Sequence, residues 1–223
     1  MAAKGLLAVA LLGAGLALGG CLQSTVEPAS EANFTPRDKK LLAAAPYENA
    51  AIPEPYRRHV VAYHRKELPG TIVIDSDALY LYYVMDGGQA IRYGVTVGDE
   101  ALAWSGVAKV GRMTEWPTWT PTAEIKKRMD VPDFVGSGPQ NPMGARAMYL
   151  FDGNKDTMYR IHGTNQPEYI GQAISSGCIR MTNEDVIDLY KRVKQGTVVV
   201  VLAPHQGDSP FSPRMASSGG SLR

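Results

Sequence analysis

Two side chains in the C-terminal half of the chain could carry out nucleophilic chemistry together. Cys178 lies in the polar turn SSGCIR (175–180), and His162 lies in RIHGT (160–164). A thiol near neutral pH is only a few per cent thiolate, so it needs a nearby base or a favourable field to attack a carbonyl. His162 can supply the base, because it ends a predicted strand and can face the following loop. The pattern predicts a cysteine nucleophile with a histidine base.

Cys178 could also be a packing residue, half of a disulfide or a metal ligand. Free cysteines are often buried, but Ser175, Ser176 and Gly177 make the preceding segment small and polar. A zinc site is not predicted, since no Cys-x-x-Cys or His-Glu-x-x-His spacing is present. The second cysteine, Cys21, lies at a predicted processing site and is a poor disulfide partner. The nucleophile is the favoured interpretation, with no metal and no cofactor.

Neighbouring residues could support this chemistry. Gly163 lets the backbone turn directly after His162, and Gly177 lets backbone approach a substrate carbonyl. The amides of Gly177 and Cys178 could form an oxyanion hole, and Arg180 is placed to hold a substrate carboxylate. Each residue alone could instead be structural, as a histidine at a strand end or a surface arginine usually is. Their combination favours catalysis.

The N-terminus predicts export. Lys4 precedes the apolar run GLLAVALLGAGLALGG (5–20), which is typical of a secretory signal and short for a membrane-spanning helix. The run ends at Cys21, and LGGC resembles a bacterial lipobox, in which the cysteine is lipidated and becomes the mature N-terminus. Ordinary cleavage with an incidental cysteine is the alternative. Either way, we expect a periplasmic or cell-envelope protein, and in the first case a lipid anchor in the membrane.

Composition bounds the remaining functions. The chain has 223 residues, 44% of them hydrophobic, which suffices for one substantial domain with flanking segments. Its net charge is +1, with acidic and basic residues mixed along its length. Because nucleic-acid binders carry basic runs or patches, we expect no nucleic-acid partner.

Periodicity predicts a mainly β, β-rich α+β domain. The predicted divisions are a signal peptide (1–20), a tether (21–52) with at most a short helix near 37–45, an N-terminal helix (53–69), a catalytic domain (70–203) and a disordered tail (204–223). Apolar patterning predicts strands within 71–75, 79–84, 89–98, 105–113, 146–151 and 158–163, and the continuous apolar run at 196–202 predicts a last, buried strand. One prominent helix follows the cysteine, where Thr182 is a natural N-cap with Asp185 three residues on.

The combination of RIHGT and SSGCIRMTNEDV resembles the signature of the L,D-transpeptidases, whose catalytic domain is of the YkuD type. In that family a His-Gly pair precedes a Ser-x-Gly-Cys-(Ile/Val)-Arg-x-x-Asn element. NPMGARAMYL (141–150) is similar to the family's Asn-Pro-x-Gly segment, and the resemblance covers about residues 70–202. Ser176 stands where many members have histidine, so a second supporting histidine is absent at that position.

The resemblance implies a β-sandwich or barrel and a peptidoglycan substrate. Cys178 would attack the carbonyl of the third residue of a stem tetrapeptide, usually meso-diaminopimelate, and expel the terminal D-alanine to leave a thioester. His162 would handle the protons, and the Gly163 carbonyl would orient its imidazole. Arg180 would bind a substrate carboxylate or hold the loop, and Ser176 would contact substrate. The loops EWPTWTPT (115–122) and GSGPQNP (136–142) would wall the groove.

The acyl group would then pass to an amine. A second stem peptide would give a 3–3 cross-link, and a lysine would attach an envelope protein. Two alternatives stay open from the residues alone. The same site could hydrolyse the thioester as an L,D-carboxypeptidase, or the chain could be a non-catalytic wall-binding lipoprotein. A degenerate domain would be expected to lack Cys178 or His162, and both are present.

Overall fold

The computed structural model describes residues 25–26, 34–47, 50–98, 104–175 and 177–207. The predicted signal peptide, Cys21, Ser176 and most of the predicted C-terminal tail lie outside these residues. The strands are β1 (Thr25–Val26), β2 (His59–Ala62), β3 (Ile72–Asp75), β4 (Tyr80–Met85), β5 (Gln89–Gly94), β6 (Val97–Gly98), β7 (Gly106–Glu115), β8 (Arg146–Asp152), β9 (Lys155–His162), β10 (Ala173–Ser175), β11 (Ile179–Arg180) and β12 (Val198–Val201). The helices are α1 (Pro36–Leu42), α2 (Ala123–Arg128) and α3 (Asn183–Arg192).

Ten of these strands form one sheet in the order β1-β2-β5-β4-β3-β12-β7-β8-β9-β11. Most neighbours are antiparallel, whereas β12 runs parallel to β3 and β11 runs parallel to β9. A second, two-stranded sheet joins β10 to β6 in parallel. The predicted mainly β fold is confirmed. The parallel β9–β11 pair positions the predicted site, because β9 ends at His162 and β11 begins directly after Cys178.

The main core lies on one face of this sheet, under α3. Val186 and Leu189 of α3 join strand residues such as Ile161 and Ile179 in a single apolar cluster that is closed to solvent. The helix begins as predicted, since Thr182 is its N-cap and accepts a hydrogen bond from the Asp185 amide at 3.1 Å. The capped helix thereby covers the core face of β9, which ends at His162, and of β11, which follows Cys178.

The predicted helix over 53–69 is wrong. This segment forms a short 3₁₀ turn at Glu54–Tyr56 and then strand β2, which pairs antiparallel with β5 so that Val60 faces Ile91. The spacing of Tyr56, Val60 and Tyr63 suits a helix, but β2 also carries adjacent β-branched valines and covers the hydrogen-bonding edge of β5. Strand pairing with β5 outweighs the helical spacing of this segment. The folded unit therefore begins before residue 70.

The predicted tether over 21–52 is only partly correct. The short helix expected near 37–45 is present as α1, but it is docked on the domain, with Asp38 fully buried. β1 lies at the sheet edge beside β2. At the other end, the first residues of the predicted tail are also anchored, because the Gln206 carbonyl accepts a 2.8 Å hydrogen bond from Arg65. Within the described residues, no helix has the length and apolarity needed to cross a bilayer.

Candidate active site

Cys178 lies immediately before β11, at the edge of the main sheet. In the parallel pairing of β11 with β9, Ile179 is level with Ile161 and Arg180 is level with His162. Side chains alternate between the faces of a sheet. Because both isoleucines point into the core, Cys178 lies with His162 and Arg180 on the opposite face. The strand pairing thus brings together the two groups that the sequence predicts as nucleophile and base.

The turn before Cys178 is held by Ser175, which is buried. Its hydroxyl donates to the Cys178 carbonyl at 2.5 Å and accepts from the Gly177 amide at 3.2 Å. Gly177 has φ of 113°, a conformation that glycine adopts without strain. Since the Gly177 amide already has an acceptor, this geometry argues against the predicted oxyanion role for it. The Cys178 amide as an oxyanion donor stays a prediction.

His162 ends β9 and is nearly closed to solvent. Its Nδ1 lies 2.6 Å from the Gly163 carbonyl oxygen. A carbonyl can only accept, so Nδ1 must carry the proton, and Nε2 keeps its lone pair. The contact expected between the Gly163 carbonyl and the imidazole is therefore present. It leaves His162 in the tautomer that a general base requires.

Burial is the main cause that keeps both reactive groups neutral at rest. Burial lowers the pKa of His162 to about 3, and the positive charges of Arg180 and Arg160 act in the same direction against the Gly163 hydrogen bond. Burial also raises the pKa of the Cys178 thiol, although a hydrogen bond from the Arg160 backbone and both arginine charges oppose it. A neutral thiol beside a neutral imidazole favours proton transfer during attack over a preformed ion pair.

Asn183, the first residue of α3, braces the backbone around the histidine. Its Oδ1 accepts from the Ala145 amide at 2.8 Å, and its Nδ2 donates to the Thr164 carbonyl at 3.0 Å and to the Tyr47 hydroxyl. A Cβ on Gly163 would overlap this Oδ1. The sequence indicated no role for Asn183 beyond its place in the motif, and it did not identify Tyr47, which lies 136 residues earlier in the chain.

Asn141 organises the loops on the other side of the cysteine. It is buried, and its Nδ2 donates to the carbonyls of Pro117, Val135 and Gly136 at 3.0, 3.2 and 2.8 Å. Its Oδ1 accepts from the Met143 amide at 2.8 Å. The Asn-Pro segment noted in the sequence thus ties two wall loops together.

A cleft of about 470 Å³ opens beside the thiol. Its lining residues are Arg112, Thr118, Trp119, Thr120, Thr122, Glu124, Ile125, Arg128, Met143, Tyr149, Met158, Arg160 and Cys178. The predicted wall 115–122 supplies four of them, although its Trp116 is buried in the fold. The predicted wall 136–142 supplies none directly, and Met143 follows it. Arg180 lies beside His162 and not in this cleft lining, so its predicted substrate contact is not brought into the cleft.

Four cleft side chains form one row across adjacent strands, here called the cleft row. Arg112 of β7 is level with Tyr149 of β8, and Tyr149 is level with Arg160 of β9. Cys178 continues the row, since its neighbour Ile179 faces the residue after Arg160. The guanidinium carbons of Arg112 and Arg160 lie 3.6 and 4.6 Å from the Tyr149 ring centroid. The sequence missed this row, because strand alternation alone does not reveal register.

Residues 69–201 match the YkuD family, described as the L,D-transpeptidase catalytic domain. The "Probable L,D-transpeptidase YbiS" of Escherichia coli (strain K12) is 38% identical over 138 residues, which are 57% of this chain and 43% of that protein. The "Putative L,D-transpeptidase YkuD" of Bacillus subtilis (strain 168) is 42% identical over 84 residues, 38% of this chain and 46% of that protein. This chain spans less than half the length of either relative.

Two solved structures are also similar. The "Probable carnitine operon oxidoreductase caia" from Brucella melitensis is 48% identical, covering 68% of this chain and 96% of that one, with a TM-score of 0.46. The "Ldtfm-avibactam carbamoyl enzyme" is 24% identical, covering 62% of this chain and 51% of that one, with a TM-score of 0.48.

Proposed function

Because this chain belongs to the YkuD family of L,D-transpeptidase catalytic domains, we propose that it is a cysteine-dependent peptidoglycan L,D-transpeptidase. One observation carries the proposal: Nδ1 of His162 is committed to the Gly163 carbonyl, which leaves Nε2 as a base on the sheet face that also presents Cys178. Nucleophile, oriented base and an adjoining cleft are the parts that acyl transfer needs.

In the first half-reaction the donor is a stem tetrapeptide. Nε2 of His162 takes the thiol proton as Sγ of Cys178 attacks the carbonyl carbon of the third residue. The tetrahedral intermediate collapses when the bond to the terminal D-alanine breaks, and the imidazolium gives its proton to the departing amine. The products are free D-alanine and a thioester on Cys178, with His162 neutral again. The Cys178 amide is the candidate donor to the oxyanion.

In the second half-reaction an amine replaces the thiolate. Nε2 accepts a proton from the attacking amine, the carbon–sulfur bond breaks, and the proton returns to the sulfur. An amine on a second stem peptide gives a 3–3 cross-link, and a lysine of an envelope protein gives an attached protein. Water as the attacking group would make the same site an L,D-carboxypeptidase.

The proposed location is the cell envelope. The signal-like run 5–20 and the lipobox-like LGGC support export and a lipid anchor on Cys21. A peptidoglycan substrate is consistent with that location. Radiolabelled palmitate incorporated into the wild-type protein but not into a Cys21→Ser variant would support lipidation, and a label in both or neither would contradict it.

The test uses the chain from residue 22 onward, so that β1 and α1 are kept, with tetrapeptide muropeptides and mass spectrometry. Loss of D-alanine together with dimers linked between third residues is the expected result, with Cys178→Ala silent. Tripeptide monomers alone would make the protein a hydrolase. The wall-binding alternative replaces the proposal if the wild-type protein and the Cys178→Ala variant both bind the muropeptides and neither releases D-alanine.

A further inference from the structure

The cleft row contains a cation that the reaction scheme above does not use. Arg112 is exposed, lines the cleft and lies on the ring of Tyr149. Resting on the proposed function, we propose that Arg112 is the anchor of a carboxylate subsite, which selects an acyl donor carrying a free carboxylate on the side chain of its third residue.

The cleft arginines differ in what they already hold. Arg160 binds Asp156 through both branches of its guanidinium, at 2.7 and 2.9 Å. Arg128 pairs with Glu124 at 3.0 Å. For Arg112, no carboxylate within ion-pairing distance occurs among the described residues, and its recorded contact is the Tyr149 ring. Arg112 is thus the cleft cation with donors left for a ligand.

Tyr149 makes Arg112 suited to this task. Stacking on an aromatic face stabilises a guanidinium while its in-plane N–H groups stay available. The ring also restricts a long side chain that would otherwise lose conformational freedom when a ligand binds. A stacked guanidinium can bind a carboxylate through two parallel hydrogen bonds, a geometry that discriminates against an uncharged amide.

The spacing along the row fits a diaminopimelate residue. Neighbouring strands are about 4.8 Å apart, so Tyr149 and Cys178, two strands apart, are separated by roughly 10 Å. The Arg112 guanidinium sits at the Tyr149 ring, 3.6 Å from its centroid. The extended carbon chain of diaminopimelate spans roughly 7 Å between its two carboxyl carbons, given bonds of about 1.5 Å. A scissile carbonyl about 3 Å from the sulfur leaves the far carboxylate within reach of Arg112.

The test compares two synthetic tetrapeptide donors that differ in one group. One carries the free side-chain carboxylate of the third residue, and the other carries its carboxamide. A third donor, amidated at the second residue of the stem, asks whether a different carboxylate is recognised. D-alanine release is measured for the wild-type protein, Arg112→Gln and the control Arg128→Gln, and binding is measured on the Cys178→Ala background by calorimetry.

We expect the wild-type protein and Arg128→Gln to prefer the free carboxylate by on the order of 10- to 100-fold in kcat/KM. Arg112→Gln should lose that factor on the free donor and treat both donors alike. Equal use of both donors by the wild-type protein, or discrimination retained in Arg112→Gln, overturns the subsite. Discrimination only against the second-residue amide would overturn its assignment to the third residue.

The calorimetric arm separates this inference from the proposed function. If no donor loses D-alanine, the transpeptidase proposal fails. The subsite then stands if Cys178→Ala binds the free donor more tightly than the carboxamide and the added Arg112→Gln change removes the difference. Equal binding of both donors overturns it. Because Arg112 is exposed, thermal unfolding of Arg112→Gln should match the wild-type protein, which shows that any loss is local.

Discussion

Asp38 and Arg146 form a bidentate ion pair that is closed to solvent. Nη1 and Nη2 of Arg146 donate to Oδ1 and Oδ2 of Asp38 at 2.9 and 2.8 Å, and the indole of Trp116 donates to Oδ1 at 2.8 Å. The Arg146 carbonyl accepts from the Gly163 amide at 3.0 Å. Helix α1, far away in sequence, is therefore joined to the backbone that orients His162, the proposed general base.

Replacing Asp38 by Asn should strongly destabilise the fold. The variant would remove the bidentate partner of the buried Arg146 guanidinium and leave it only a 3.9 Å contact with the exposed Glu115. Breaking a buried ion pair costs about 3–5 kcal/mol in comparable cases. Urea unfolding followed by circular dichroism measures the change. Glu124→Gln is the control, because its pair with Arg128 is exposed and should contribute under about 1 kcal/mol. A similarly small loss in the free energy of unfolding of both variants would show that the contact of α1 with Arg146 contributes little to stability.

The same pair should make stability depend on pH in acid. Burial opposes ionisation of Asp38, but hydrogen bonds from Arg146, Thr35 and Trp116 outweigh it and lower the pKa of the carboxyl to about 2. The unfolded value is about 3.9, so the folded state favours the ionised form. This contribution of roughly 2 kcal/mol is present above about pH 4 and is lost as the pH falls towards 2.

The measurement is the difference in free energy of unfolding between the wild-type protein and Asp38→Asn, taken from pH 6 down to pH 2. The subtraction cancels the contributions of the other titrating groups. The difference in free energy of unfolding between the two proteins should therefore shrink by about 2 kcal/mol between pH 6 and pH 2. A gap that stays constant across this range would mean that Asp38 ionises equally in both states.

Sequence pattern predicted what depends on neighbours along the chain. The Thr182 cap, the polar turn before Cys178 and the His162–Gly163 pair are local, and each occurs in the structure as expected. The strand at 59–62 was missed because pairing with β5 overrides its helical spacing. The Asp38–Arg146 pair and the cleft row depend on contacts between distant segments, which no periodicity encodes.

Asn183→Ala should impair catalysis more than substrate binding. The change leaves the Ala145 amide and the Thr164 carbonyl without their buried partner, each at about 1–3 kcal/mol. The backbone after His162 would then lose its brace. We expect kcat for D-alanine release to fall about tenfold or more in the protein that still folds, with KM little changed.

Two matched variants test whether Asn183 acts by bracing the backbone after His162. Asn183→Asp keeps the acceptor for Ala145 but loses the donor to Thr164, so it should show an intermediate loss. Tyr47→Phe removes the remaining contact of the Asn183 amide and should have the smallest effect on kcat. A rise in KM with kcat preserved in Asn183→Ala would instead make Asn183 part of the substrate site.

The neutral resting state of His162 and Cys178 should be visible in pH profiles. With a His162 pKa of about 3, the imidazole is already deprotonated across pH 5–7, so kcat/KM should show no acid limb near the usual value of about 6.5. Since burial raises the thiol pKa, alkylation of Cys178 by iodoacetamide should be slow at pH 7 and accelerate only above the range of an ordinary thiol.

The Arg180→Gln variant tests the directions of the pKa shifts of His162 and Cys178 in a second way. Arg180 disfavours the imidazolium and favours the thiolate, so its removal should raise the pKa of both His162 and Cys178. The acid limb of kcat/KM would move up in pH, and alkylation at a fixed alkaline pH would slow. Lys191→Gln, at an exposed position on α3, is the control for a general loss of positive charge.

An alkylation rate that is fast and level from pH 5 to 7 in the wild-type protein would contradict a neutral His162–Cys178 pair, because this is the behaviour of a preformed thiolate beside an imidazolium.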